Sequence, residues 1–114
     1  MTRVYKILGR AEWEAALARG VFEGSAVDLA DGFIHLSAAD QATETARRWF
    51  RGQPSLIVLT LDTEAFGPEL RWEPSRGGAL FPHLYGPLDC DMVVEARDAP
   101  LGDDNIPILG RLAP

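Results

Sequence analysis

The chain of 114 residues has one cysteine, Cys90, only two histidines, His35 and His83, and too few basic groups to offset its acids, which leaves a formal charge of -6. A lone thiol cannot close an internal disulfide, so a reducing cytoplasm is the expected location. Asp89 and Asp91 flank Cys90, and their charges disfavour the thiolate, making it a poor nucleophile. Net negative charge argues against a broad electrostatic grip on nucleic acid or anionic lipid. It is compatible with a small basic pocket for one phosphorylated ligand. No apolar run reaches bilayer-spanning length, and the first residues lack the apolar core of a secretion signal. No glycine-rich loop follows a strand, which argues against a Rossmann-type dinucleotide fold. No Gly-x-Ser-x-Gly elbow is present, so Ser37 reads as a helix cap and not a nucleophile. Two histidines without a third ligand at turn or helical spacing give no reason to expect a metal centre.

What is present is the balance of a globular domain, 46% apolar and 25% charged, enough for one core in a single domain over residues 1–114. Arg3 to Leu8 alternates as a strand, with Lys6 a cation among apolar neighbours that suits a snorkelling edge position. Trp13, Ala16 and Leu17 fall on one helical face within Ala11 to Arg19, and Gly20 is placed to end that helix. Val21 to Ala30 reads as loop with one helical turn at Ser25 to Leu29. A second helix runs from Ala38 to Phe50, with Ala39, Ala42, Ala46, Trp49 and Phe50 as its buried stripe and Gln41, Glu44 and Arg48 toward water. Ser55 to Asp62 is apolar on both faces, as a central strand is. Leu70 to Glu73, Phe81 to Tyr85 and Asp91 to Asp98 are further strands, the last with Met92, Val94 and Ala96 on one side. Pro74 to Gly78 is the most flexible-looking stretch, and Ile106, Ile108 and Leu109 would anchor a tail rich in breakers. The expected class is α+β, with a mixed, mainly antiparallel sheet and two helices in the N-terminal half.

Chemistry concentrates in two stretches. In Asp31-Gly32-Phe33-Ile34-His35-Leu36-Ser37, a turn leads into an alternating strand that places Phe33, His35 and Ser37 on one face. Ser37 with Asp40 then resembles a reciprocal cap for the next helix. The second stretch is Phe81-Pro82-His83-Leu84-Tyr85-Gly86-Pro87. Imidazole can donate, accept and titrate near neutrality, and two histidines, each amid glycine, proline and aromatic residues, point to one shared pocket. The plainer alternative is two structural histidines with satisfied hydrogen bonds. Arg71 and Glu73 share a strand face opposite Trp72; Arg71 could clamp a phosphate, or the pair could be a solvated ion pair of small energy. Tyr85 lies on the side of His83 and could orient a ligand or cap the core.

Tyr5-Lys6-Ile7, Trp13, Asp31 to Ser37 with Gln41, Leu70-Arg71-Trp72-Glu73 and Phe81 to Gly86, in that order, resemble a family of small bacterial proteins catalogued as domain of unknown function 952. That family is similar in outline to the ADP-ribosyltransferase fold, which includes the RNA 2′-phosphotransferases. The resemblance implies cleavage of NAD between nicotinamide and ribose, by a triad spread over three strands. Lys6 or Tyr5 would fall near its first position, His35 near its second, where tyrosine is usual, and His83-x-Tyr85 near its last. The expectation is therefore an enzyme that binds NAD as co-substrate, or a related phosphorylated nucleotide. His35, His83 and Tyr85 would be catalytic, and Lys6, Phe33, Ser37, Arg71 and Glu73 would line the ligand. The rival is a module that binds a small ligand or a protein and turns nothing over. Glu73 discriminates between them: it is the best carboxylate near the motifs, and facing away from both histidines it would favour the rival.

Overall fold

The structure, a computed structural model, describes residues 2–114. In chain order its elements are β1 (Arg3–Gly9), α1 (Arg10–Arg19), β2 (Val21–Phe22), α2 (Ala26–Asp31), β3 (Ile34–His35), β4 (Ser37–Ala38), α3 (Ala39–Trp49), β5 (Leu56–Asp62), β6 (Leu70–Pro74), β7 (Leu80–Leu84), β8 (Leu88–Asp89) and β9 (Val93–Ala99). The class is α+β. Among the described residues the strands form three sheets rather than one, ordered β4-β1-β5-β9, β2-β8 and β3-β7-β6, and all the pairings are antiparallel. Among the described residues there are three α-helices rather than two, because the expected turn after Ser25 extends through Asp31.

β5 is central, as its two-sided apolar pattern requires. Ile57, Leu59 and Leu61 join Val4 and Leu8 of β1 in one core layer with Trp13, Ile34 and Leu84. Leu56 and Val58 join Tyr5 and Ile7 in another, beneath Ala42 and Ala46 of α3 and Leu109 of the tail. Lys6, between Val4 and Leu8 in an alternating strand, therefore points into the first layer. It is 4% exposed and lies on an interior strand, not snorkelling from an edge.

The expected strand from Phe33 to Ser37 is broken. Leu36 donates to the Pro82 carbonyl at 3.1 Å, and the next two residues pair with β1, Val4 opposite Ala38 and Tyr5 opposite Ser37. The chain thus passes from one sheet to another at Leu36, and alternation cannot carry a shared face across that crossing. The helix cap also differs. Ala38 is the N-cap of α3, its N–H donating at 3.0 Å to Gln41, and Ser37 and Asp40 do not form the reciprocal pair. Gln41, assigned to the water face, also donates to the Leu80 carbonyl at 2.7 Å.

Several apolar residues at the ends of the expected stripes face solvent. Trp49 is 65% exposed at the last residue of α3, where the stripe has rolled off the sheet and Phe50 packs instead. Leu17 and Ile108 are also exposed, whereas Leu109 is buried. Cys90–Met92 forms a 3-10 turn, so β9 starts later than expected, with a bulge opposite Thr60 and Leu61.

Candidate functional site

The site begins with α2, a six-residue helix from a stretch read as loop. Asp28 reaches back to accept from the Ser25 N–H at 2.9 Å. The helix ends at Gly32, whose φ of 89° is left-handed, a conformation glycine adopts without a Cβ clash. Gly32 and Phe33 both donate to the Asp28 carbonyl, at 2.8 and 3.2 Å. That turn delivers Phe33 and His35 beside β7.

β3 and β7 set His35 directly opposite His83. The His35 N–H points away from β7, donating to Asp28 Oδ1 at 3.0 Å. The two histidines thus occupy a pair without ladder bonds, the kind in which facing side chains approach most closely. Their rings meet edge to face with centroids 5.7 Å apart. Phe33 stacks on His83 at 4.1 Å and 28°, and lies 4.6 Å from His35 and 5.2 Å from Tyr85.

Each imidazole is backed by a carboxylate. His35 Nδ1 lies 2.7 Å from Asp28 Oδ1, and its Nε2 lies 2.9 Å from Asp31 Oδ2. His83 Nδ1 lies 2.8 Å from Glu73 Oε1, which also accepts from the Tyr85 hydroxyl at 2.7 Å. An ionised carboxylate can only accept, so Nδ1 of each ring carries a proton. With that proton fixed, a neutral His83 presents Nε2 as an acceptor. Arg71 completes this side, its guanidinium carbon 4.6 Å from the Tyr85 ring centroid, within cation–π range.

Electrostatics follow from these contacts. Burial pushes the Asp28 carboxyl up, but the His35 bond and the Lys6 charge outweigh it and bring it down to about 2. Lys6 Nζ donates to Asp28 Oδ2 at 2.8 Å; burial still draws its ammonium below the usual lysine range against the pull of that carboxylate. Glu73 is held low by its bonds from Tyr85 and His83, and the Glu73 bond in turn raises the Tyr85 phenol. The Cys90 thiol is raised, first by burial and then by Asp89 and Asp91.

The structure therefore brings Phe33, His35, Arg71, Glu73, His83 and Tyr85 into one cluster, and ties Lys6 to it through Asp28. Ser37 lies apart, its Oγ 3.0 Å from Thr45 Oγ1 on α3. Asp28 was missed by sequence reasoning. Two signals pointed to it: Ser25-x-x-Asp28 is a capping pattern, and the chain's single lysine, within a strand, needs a buried counter-charge. Beside the cluster, between α2, Phe33 and the loop before β8, lies a cleft of about 310 Å³. Among the described residues no group of three or more His, Cys, Asp or Glu could hold a metal ion, and no helix is long and apolar enough to cross a membrane.

Fold and cluster define a small α+β domain in which two carboxylate-backed imidazoles face each other across one strand pair. Residues 7–96 match the family described as "Protein of unknown function (DUF952)", and the chain belongs to that family. It is similar to protein CC0527 from Caulobacter crescentus. The crystal structure of that protein is 60% identical over 96% of each chain, with a TM-score of 0.93. Its solution NMR structure is 61% identical over 96% of this chain and 95% of that one, with a TM-score of 0.87. No curated protein matches the chain.

Proposed function

We propose that the cluster is the active site of an ADP-ribosyltransferase-like enzyme that takes NAD, or a related phosphorylated nucleotide, as co-substrate and needs no metal. One observation carries this reading. Glu73 faces the His83 ring, accepting from it and from Tyr85, and those bonds keep its carboxyl in the anionic form. Breaking the bond between nicotinamide and ribose leaves positive charge on the ribose C1′ and its ring oxygen while the electron pair departs with nicotinamide; an acceptor nucleophile, water when no other is present, then bonds to C1′ and gives up its proton. A fixed carboxylate stabilises that charge as it develops. Phe33 and Tyr85 offer aromatic faces to a base or pyridine ring, and Arg71, exposed at the rim, can take a phosphate.

Incubation with NAD, with nicotinamide release followed by chromatography, tests the reading. The wild type should release nicotinamide, and Glu73→Gln should lower the rate by about two orders of magnitude or more, as loss of one electrostatic contact to a transition state does. NAD should also raise the melting temperature of both proteins, since ligand bound to the native state stabilises it. Absence of release and of any thermal shift would refute the reading.

A second reading, a small-ligand-binding module without turnover, draws on a different observation. Both Nδ1 atoms and Nε2 of His35 already face carboxylates, as structural imidazoles do. A thermal shift without nicotinamide release would favour it.

A further inference from the structure

The cleft beside Phe33 differs in chemistry from the histidine cluster. Its exposed apolar lining comes from Leu29 and Pro87, over Ile34 and Leu84, which are almost fully buried at its base, with Phe33 between cleft and cluster. Two carboxylates line it, Asp28 and Glu23, and no lysine, arginine or histidine does. Asp28 is spent: its Oδ1 serves His35 twice, and its Oδ2 accepts from Lys6 and from Ser25. Glu23 is exposed at the mouth and has no hydrogen-bond or ion-pair partner among the described residues. The volume, about 310 Å³, is at the small end of ligand pockets, enough for one ring with a short substituent. An anionic group entering here would meet an acidic rim and no counter-charge.

We infer that this cleft is a second binding site, for a small organic ammonium ion on a compact apolar scaffold, with the ring against Phe33 and Leu29 and the ammonium directed to Glu23. Occupancy of this site does not require that the cluster use NAD. The apolar walls provide the affinity and one free carboxylate selects for the cation. Because Glu23 is solvated, the selection is modest and screened by salt.

Amide chemical-shift titrations of the full chain with benzylamine and with benzyl alcohol, near-isosteres that differ in charge at neutral pH, test the inference. Benzylamine should shift the amides of Leu29, Gly32, Phe33 and Gly86 saturably and bind about threefold more tightly than the alcohol, the preference a partly exposed ion pair gives. Glu23→Gln should bring the two probes to equal affinity without weakening the alcohol, and high salt should do the same to the wild type. Arg71→Ala, on the far side of Phe33, should change neither. Equal affinities in the wild type at low salt would overturn the inference. So would a preference that survives Glu23→Gln, or shifts confined to residues outside the cleft. Should NAD leave the cluster untouched while benzylamine still selects the cleft, the proposed enzymatic function falls and this site stands.

Discussion

Asp28 holds His35 at two points, accepting from its backbone N–H at 3.0 Å and from its ring Nδ1 at 2.7 Å with the same oxygen. A strand of only two residues has few ladder bonds to locate it. β3 is therefore positioned by a side chain from α2, and that side chain is anchored by Lys6 from β1. The orientation of one imidazole thus depends on a buried ion pair that joins α2 to β1. A mutation at Lys6 or Asp28 acts on the site and on the fold together.

The first expected outcome concerns that pair. Asp28→Asn leaves the Lys6 ammonium buried without a counter-charge and should cost about 3–5 kcal/mol, as breaking a buried pair does. Lys6→Met leaves Asp28 with the donors of Ser25 and His35 and should cost distinctly less. Urea denaturation of both variants measures the order. Equal losses would mean that the histidine and backbone donors do not sustain the carboxylate.

Acid should expose the same contact. The Asp28 carboxyl is depressed from its ordinary value of 3.8 to about 2, so the native state binds its proton more weakly than the unfolded state. Its contribution is fully present above the unfolded value and is lost as pH falls through about 2. Stability should drop by roughly 2 kcal/mol across that window, and the drop should be absent in Asp28→Asn. Glu44, also lowered to about 2 by Arg47 and Arg48, sits in solvent-screened pairs. Glu44→Gln should leave the acid limb nearly unchanged.

In the core, Leu59 is fully buried on the central strand. Leu59→Ala should cost about 2–5 kcal/mol, the range for large-to-small core changes. A loss within the error of a denaturation curve would remove β5 from the centre of the fold.

Leu59 also marks what was legible in the sequence. Strand alternation and the two-sided apolar run identified β1 and β5, and helical spacing with Gly20 identified α1. Glu73 sharing a face with Arg71, opposite Trp72, followed from strand period alone, as did the side that Tyr85 shares with His83, where both reach Glu73. Partner choice did not follow. Alternation assigns faces along an unbroken strand, and at Leu36 the backbone changes sheets, which sends Ser37 to α3 while His35 stays with Asp28. Asp28 was hidden because six residues of helix give too short a period to stand out from loop. Trp49 was misread because a stripe that is sound at Ala42 and Ala46 has turned off the sheet one turn later.

The Tyr85 phenol offers a direct optical reading of the cluster. Its ionisation is raised by the bond to Glu73, and the other tyrosine, Tyr5, is raised chiefly by burial. In an ultraviolet titration both should ionise above the ordinary tyrosine range. Glu73→Gln should bring one of them down toward it and leave the other in place. Two unaltered phenols would show that the carboxylate and Tyr85 are not bonded in solution.

The last expected outcome tests whether the cluster takes an anion. A phosphate held in the cluster would lie against the His35 and His83 rings as well as Arg71, and its affinity should depend on all three side chains. Arg71 should matter through its shape as well as its charge. Its guanidinium lies over Tyr85, and Arg71→Lys keeps the charge but loses both the stacked plane and the two-pronged donor. Calorimetric titration with ADP-ribose should therefore give weaker binding for Arg71→Lys than for the wild type. His35→Gln and His83→Gln should each weaken binding as well. If the imidazoles only brace the fold, those two variants will melt earlier and bind as the wild type does. Affinities unchanged by all three substitutions would leave the cluster a structural one.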